Sequence, residues 1–265
     1  LFWEGICTLP FLMTELLVSV ILVGGHMFLE SDELRELLYS DASSFGIELT
    51  DNQAYLLLKY IDLVVEKNKV INLTRITDPI SAIRLHLIDS LLLAAFSSKC
   101  KFIDIGTGAG MPGIPFAIAT GSNGYLLDSV GKKIIAVNEF INELGLQKSL
   151  LGVNSRAEEF VLKNHHTLDL VMARAVAPLC TLVEYASPFL HTDGLFLAAK
   201  SRITNEELSD GLKAASIVGL SMVSRETFEL PDNAGHREIL VFQKNGIEKV
   251  RLPRKNGTAK NHPLF

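Results

Sequence analysis

Hydrophobic residues recur at three- and four-residue intervals from about residue 27 to residue 98, and from Lys101 the spacing tightens into short apolar runs separated by helical stretches. The first regime predicts helices, and the second predicts alternating strands and helices. Ala54, Leu57, Leu58, Ile61, Val64 and Val65 form one apolar face behind Thr50-Asp51-Asn52-Gln53, a capping box whose two side chains satisfy orphan groups at a helix start. Asp78-Pro79 opens the next helix, whose stripe is Ile80, Ile83, Leu87, Leu91 and Ala94. Asn72-Leu73-Thr74-Arg75 is the polar connector between them. Strands are predicted at 102–105, 125–128, 151–154, 168–173 and 195–199. Between and after them come helices at 132–144 (ended by Gly145), at 179–190 behind Pro178, and from a second capping box, Thr204-Asn205-Glu206-Glu207, to about 218. Runs at 226–230 and 238–243 read as an antiparallel edge hairpin, and there is no internal repeat. The fold class is therefore α/β: a doubly wound, mostly parallel, Rossmann-like sheet with right-handed crossovers, helices on both faces and an N-terminal helical extension.

Residues 1–26 stand apart. They hold Trp3, Glu4 and Glu15 but no Lys or Arg, so a secretory leader lacks its basic start, and Glu15 with Gly24-Gly25 breaks the apolar run, which leaves a membrane span as the disfavoured alternative. The expectation is an anomalous apolar extension, upstream sequence read through to a natural start at Met27. The remainder divides into a helical part at 27–98, an α/β domain at 99–248 and a basic tail at 249–265.

Composition narrows the class without naming a function. Of 265 residues 48% are apolar, enough for a large core, and 25 Lys plus Arg against 30 Asp plus Glu give a net charge of −5. That charge supplies no overall field for nucleic acid, so any such contact must be local. Cys7, Cys100 and Cys180 are too dispersed for a disulfide framework or a zinc site, which implies reduced thiols, no metal and a cytoplasmic location.

Asp104-Ile105-Gly106-Thr107-Gly108-Ala109-Gly110-Met111-Pro112-Gly113 leaves the first strand of the α/β region, where doubly wound sheets bind ligands. A dinucleotide fingerprint is matched at Gly108, Gly110 and Gly113, but its first glycine comes two residues late and Pro112 removes an N–H that a phosphate would use. The register from the strand end, acidic residue-x-Gly-x-Gly-x-Gly, suits a cofactor without phosphates, with Asp104 orienting the loop or meeting a cationic ligand. Asp128 ends the second strand and can accept both hydroxyls of an adenosine ribose, as S-adenosylmethionine offers; the alternative is an N-cap. Ala157-Glu158-Glu159 can meet an adenine edge or be a solvated helix start. Arg174, after the fourth strand, can clamp a carboxylate or phosphate, or form a surface ion pair.

Together, Asn72-Leu73-Thr74, His86-Leu87-Ile88-Asp89-Ser90, the segment from Asp104 to Gly113 with its Pro112-Gly113-Ile114-Pro115 extension, Leu127-Asp128-Ser129-Val130-Gly131-Lys132-Lys133, Ala157-Glu158-Glu159, Arg174-Ala175 and Leu252-Pro253-Arg254-Lys255 resemble the bacterial small-subunit ribosomal RNA guanine-N7 methyltransferases, the glucose-inhibited division protein B family. The resemblance runs from about Met27 to the C-terminus. Two positions depart from it: the family's Arg-His pair is here Arg84-Leu85-His86, and Lys67 stands where the family has Trp. It implies a methyltransferase fold, S-adenosylmethionine as cofactor, and 16S ribosomal RNA or the small subunit as partner, with no membrane. The implied cofactor contacts are Gly106, Met111, Ala157, Glu158 and Arg174, joined by Gly108, Gly110 and Asp128 from the loop argument. Asn72, His86, Arg251, Arg254 and Lys255 are the candidate RNA contacts; a packing histidine and a solvated tail are the competing assignments. Guanine N7 carries a lone pair and no proton, so no catalytic acid or base is expected. Methylation of a small molecule or protein, NAD-linked oxidoreduction and an inert RNA-binding module are the alternatives.

Overall fold

In the computed structural model, which describes residues 28–265, the Thr50 capping box forms as the sequence predicts: the Thr50 hydroxyl accepts the Gln53 N–H and Gln53 Oε1 accepts the Thr50 N–H. The expectations for the apolar extension and Cys7 lie outside the described residues. The capping box opens α2 (Asp51–Asn68), which follows α1 (Asp32–Ser43). Asp78 caps α3 (Pro79–Phe96) by accepting the Ser81 N–H. Here the predicted stripe fails at its start. Ile80, in the first turn, is exposed, while Ile83 and the run from His86 to Leu93, carried through a π turn at Ile83–Ile88, are buried. This helix has a mean hydropathy of 1.5 over 18 residues, high enough for a span by composition, but more than half of it is buried inside the protein as a core helix.

The sheet has seven strands in the order β3-β2-β1-β4-β5-β7-β6. They are β1 (Lys101–Ile105), β2 (Asn123–Asp128), β3 (Leu150–Asn154), β4 (Leu168–Arg174), β5 (Leu190–Lys200), β6 (Leu220–Leu230) and β7 (Gly235–Lys244). The first five run parallel, and β7 pairs antiparallel with both β5 and β6. The intervening helices are α4 (Gly113–Thr120), α5 (Gly131–Glu143), α6 (Ala157–Phe160), α7 (Leu179–Ala186) and α8 (Asn205–Ile217), with a last turn α9 (Thr258–Asn261). The chain leaves β1 toward β2 and β3, then returns to β4 on the other side, so a crevice opens above the carboxyl ends of β1 and β4.

Alternation along the strands divides two cores. Phe102, Leu126, Leu170, Met172 and Leu197 face α1–α5, whereas Ile103, Leu127, Val171, Phe196 and Phe242 face α7, α8 and the tail residue Leu252. The N-terminal helices thus share one core with the sheet. Cys100 and Cys180 are free thiols.

Boundaries and one cap differ from the sequence pattern. The hairpin strands are longer than their apolar runs, because paired backbone extends through polar residues such as Ser221 and Arg225. The helix after Pro178 stops at Ala186, followed by a single turn holding Pro188, and β5 begins at Leu190. Thr204 caps α8, but Glu207 does not close the box: Oε1 accepts the Leu179 N–H at 3.0 Å and meets Lys200 at 2.8 Å.

Candidate active site

The glycine loop is fastened from below and from both sides. The N–H groups of Gly106 and Thr107 donate to Leu127 O, tying the loop to β2. Asp104, fully buried at the end of β1, accepts the Thr107 hydroxyl at 2.6 Å and the Gly113 N–H at 2.9 Å, both through Oδ2. Its Oδ1 is equally buried and has no partner among the described residues. Burial pushes this carboxyl up to about 6, against the opposing pull of Thr107, Gly113 and Arg174. Two glycines are dictated by geometry. Gly106 has φ +74°, and a Cβ there would lie 2.5 Å from Val176 Cγ2; a Cβ on Gly113 would lie 2.2 Å from Leu126 Cδ2. From the third side the buried Tyr60 of α2 donates its hydroxyl to Ala109 O at 2.9 Å.

At the end of β2, Asp128 accepts the Gly108 N–H at 3.0 Å and the Val130 N–H at 2.8 Å, one on each oxygen. The N-cap of α5 is Val130, so Asp128 braces the loop and turn without capping the helix itself. Asn154 Nδ2 and the Ser155 N–H donate to Asp128 O, which locks the end of β3 beside it. Arg174, the last residue of β4, is directed toward α3. Its Nη1 contacts Asp89 Oδ2 at 3.2 Å, Ser90 Oγ at 3.3 Å and Leu85 O at 3.4 Å. Asp89, itself buried, holds Arg237 Nε of β7 at 3.0 Å with its other oxygen.

Gly106, Gly108, Gly110, Met111, Asp128 and Arg174 are therefore brought together around the crevice, with Ala157 buried at the start of α6 after β3. Glu158 points elsewhere: Oε1 accepts the Gly257 N–H of the tail at 3.1 Å, and it lines a small cavity with Tyr185. Burial, then the charges of Glu158 and Glu184, push the Tyr185 phenol up to about 12. His86 is buried and bonded to the Thr74 hydroxyl at 2.8 Å; burial and then the Arg174 charge hold it down at about 4, so it is neutral near pH 7. That is the packing arrangement. Asn72 is exposed on the loop between α2 and α3.

The three candidate RNA contacts of the tail go to three places. Arg254 turns inward and grips both oxygens of Glu184 on α7, which removes it from the solvated tail the sequence suggests. Lys255 is exposed, one residue before Asn256-Gly257, which bind Glu159 and Glu158. Arg251 lies at the opposite end of the sheet, beside His191 and Lys249. Sequence reasoning missed Tyr60, Asp89 and Arg237. Tyr60 sits three residues after Leu57, on the predicted apolar face, and Asp89 lies inside the segment His86-Leu87-Ile88-Asp89-Ser90; nothing local marks Arg237. At that far end His165, His166 and Glu248 bring ligand atoms within 4.8 Å of one another, but the Lys244 ammonium 2.9 Å from Glu248 Oε1 opposes a cation there.

Comparison with known proteins shows the family of the chain. The family described as rRNA small subunit methyltransferase G matches residues 53–234. A ribosomal RNA small subunit methyltransferase G from Desulfitobacterium hafniense is 40% identical over 222 residues, covering 83% of this chain and 92% of the relative. Its Staphylococcus epidermidis counterpart is 38% identical over 234 residues, covering 86% and 98%. Among solved structures, the Bacillus subtilis M1A22 tRNA methyltransferase TrmK superposes with a TM-score of 0.50 at 11% identity, over 60% of this chain and 66% of that one. A transferase of Pyrococcus horikoshii gives the same score and identity over 60% and 63%. These two likenesses concern the fold alone.

Proposed function

Because the chain belongs to the rRNA small subunit methyltransferase G family, we propose that it transfers a methyl group from S-adenosylmethionine to N7 of a guanine in 16S ribosomal RNA. The observation that carries the cofactor assignment is Asp104 Oδ1, a fully buried carboxylate oxygen without a partner beneath a glycine loop. Such an atom is costly unless a donor completes it, and an amino-acid ammonium is a donor of the right charge. A Cβ built on Gly108 would meet only Gly106 O, at 4.0 Å, so the loop leaves open space on that side. S-adenosylmethionine, when bound, supplies a sulfonium methyl and carries no phosphate, which fits a loop with Pro112 at its end.

The chain's own residues then bind and orient. Each Asp128 oxygen has one backbone donor and retains a lone pair for ribose hydroxyls. Ala157 and Glu158 open α6, so their N–H groups are the orphan donors of a helix start, suited to an adenine edge. Asp89 holds Arg174 by Nη1, which leaves the other guanidinium N–H groups for a carboxylate or a phosphate. Tyr60 and Asp104 keep the loop from shifting. Since N7 presents a lone pair and no proton, no residue has to act as a base; holding it in line with the methyl at roughly 3 to 3.5 Å is the catalytic task. N7 lies in the deep groove of A-form RNA, so the target guanine must be unpaired or turned out. Exposed Asn72 and Lys255 serve as RNA contacts in this scheme, and His86 acts from within by holding Thr74. The activity belongs to the cytoplasm, on free RNA or an assembled subunit.

Transfer of a tritiated methyl group to unmodified small subunits and to free 16S RNA, followed by mapping of N7-methylguanine, tests this reading. Label at one guanine supports it, whereas label on another base, on protein only or nowhere overturns it. Calorimetric binding of NAD without binding of S-adenosylhomocysteine would replace it with the oxidoreductase alternative.

A further inference from the structure

The residues after β7 do not trail away from the fold. Leu252 and Ala259 are buried, and the Thr181 hydroxyl of α7 donates to Ala259 O at 3.3 Å. Arg254 uses Nε and Nη2 to hold both oxygens of Glu184, and its Nη2 also reaches His262 O at 2.9 Å. The segment then crosses to the loop after β3, where the Asn256 amide donates to Glu159 and the Gly257 N–H donates to Glu158 Oε1 at 3.1 Å. Gly257 has φ +80°, a left-handed turn that suits glycine at this point of the crossing. Glu158 is 9% exposed, so this carboxylate spends its acceptor capacity inside the protein. On the other side of the same loop, Asn154 and Ser155 are pinned to Asp128 O. One short segment, from Asn154 to Glu159, is thus fastened at its start to the residue assigned to the ribose and at its end to the C-terminal segment.

We propose that Glu158 is a positioning residue: its carboxylate fastens residues 252–262 to the loop after β3, and this fastening holds the Ala157 and Glu158 N–H groups where the adenine end of the cofactor binds. Tail docking and cofactor binding are then one linked equilibrium, and each strengthens the other by the same factor. This rests on the S-adenosylmethionine reading above. It differs from the assignment of the Glu158 side chain to the cofactor itself, because the variant that separates the two lies outside the cleft. Arg254 hydrogen-bonds to Glu184 and His262; it lines one small cavity with Ala157 and Glu158, but among the described residues it has no hydrogen bond to the loop after β3, and it holds the same tail.

The experiment uses the full chain and two readouts, amide hydrogen exchange over residues 252–262 and calorimetric affinity for S-adenosylhomocysteine. In the wild type, saturating S-adenosylhomocysteine should slow exchange at Gly257 by about fivefold or more. Glu158→Ala should speed exchange across the segment and weaken S-adenosylhomocysteine by about fivefold or more, abolishing the ligand-dependent protection. Arg254→Ala should loosen the same segment and weaken the ligand in the same direction. Asn256→Asp, which sets a carboxylate against Glu159 and leaves the Glu184 pair intact, gives the same test if Arg254→Ala lowers the melting temperature too far. A loosened tail with wild-type ligand affinity in the Arg254 or Asn256 variant overturns the linkage, as does affinity lost in Glu158→Ala with the tail still protected. A wild type that binds no S-adenosylhomocysteine would instead remove the functional reading on which the linkage stands.

Discussion

Asp104 concentrates the chemistry of the cleft in one side chain. Its carboxyl sits at about 6 because burial outweighs two hydrogen bonds and a nearby arginine, whereas the ordinary value is 3.8. The folded state therefore holds the proton more tightly than the unfolded chain. Its contribution to stability is full below about pH 4 and is lost as pH rises through about 6, a loss on the order of 3 kcal/mol. A cationic ligand beside Oδ1 favours the ionised form, so affinity for S-adenosylhomocysteine should rise between pH 5 and 7 and level off above. Calorimetry across that range, on wild type and Asp104→Asn, checks both effects, since the variant should lose the pH dependence of affinity and of melting; an unchanged slope would show that another group titrates. The glycines give a second expectation at this scale. Gly106→Ala combines φ +74° with a 2.5 Å clash against Val176, so it should lower both stability and cofactor affinity. Gly108→Ala meets open space at φ +61° and should cost about 1 to 2 kcal/mol of backbone strain, with its larger effect on ligand affinity. Denaturant melts beside ligand titration separate these outcomes.

Among the elements, α2 does more than cover the sheet. Its capping residue Gln53 donates to Ile118 O and Ala119 O at the end of α4, and Tyr60, two turns on, braces Ala109 in the glycine loop. Tyr60→Phe keeps the ring against Phe140 and removes one buried hydrogen bond, so the expected loss is about 1 kcal/mol of stability with a several-fold weaker cofactor affinity. Equal affinity in that variant would show that the loop holds its shape without α2. The difference between what the sequence displays and what it hides follows from range. Strand periods, capping residues and the glycine loop are local, and they mark the strands and the loop that border the crevice. The partners of polar groups are long-range: Tyr60 meets Ala109 across 49 residues, Arg174 meets Asp89 across 85, and Glu158 meets Gly257 across 99. Glu207 shows the same limit on a small scale, because a lysine from β5 and the α7 N-terminus claim the carboxylate that a local capping box would have used.

At the scale of the whole molecule the question is how a chain of net charge −5 holds an RNA. Several of the arginines are spent on internal pairs: Arg174 and Arg237 share Asp89, Arg84 lies between Asp41 and Asp232, and Arg254 is held by Glu184. Non-specific phosphate attraction must then come from exposed charges on the same side as the glycine loop. Lys255 meets that condition, because the tail that carries it is fastened to the loop after β3. Arg251 does not, because the chain passes it at the far end of the sheet, where His191 and Lys249 surround it. Two cations four residues apart in one basic tail should therefore behave differently. Lys255→Ala should make the slope of log affinity for RNA against log salt shallower by about 0.7 to 0.9, the value of one phosphate contact, and leave S-adenosylhomocysteine affinity unchanged. Arg251→Ala should leave both unchanged. Filter binding of the two variants from low to moderate salt, beside a cofactor titration, measures the difference. Equal changes of slope in both would mean that the RNA wraps around the tail to the opposite end of the sheet, and no change in either would remove the tail from the RNA-binding surface altogether.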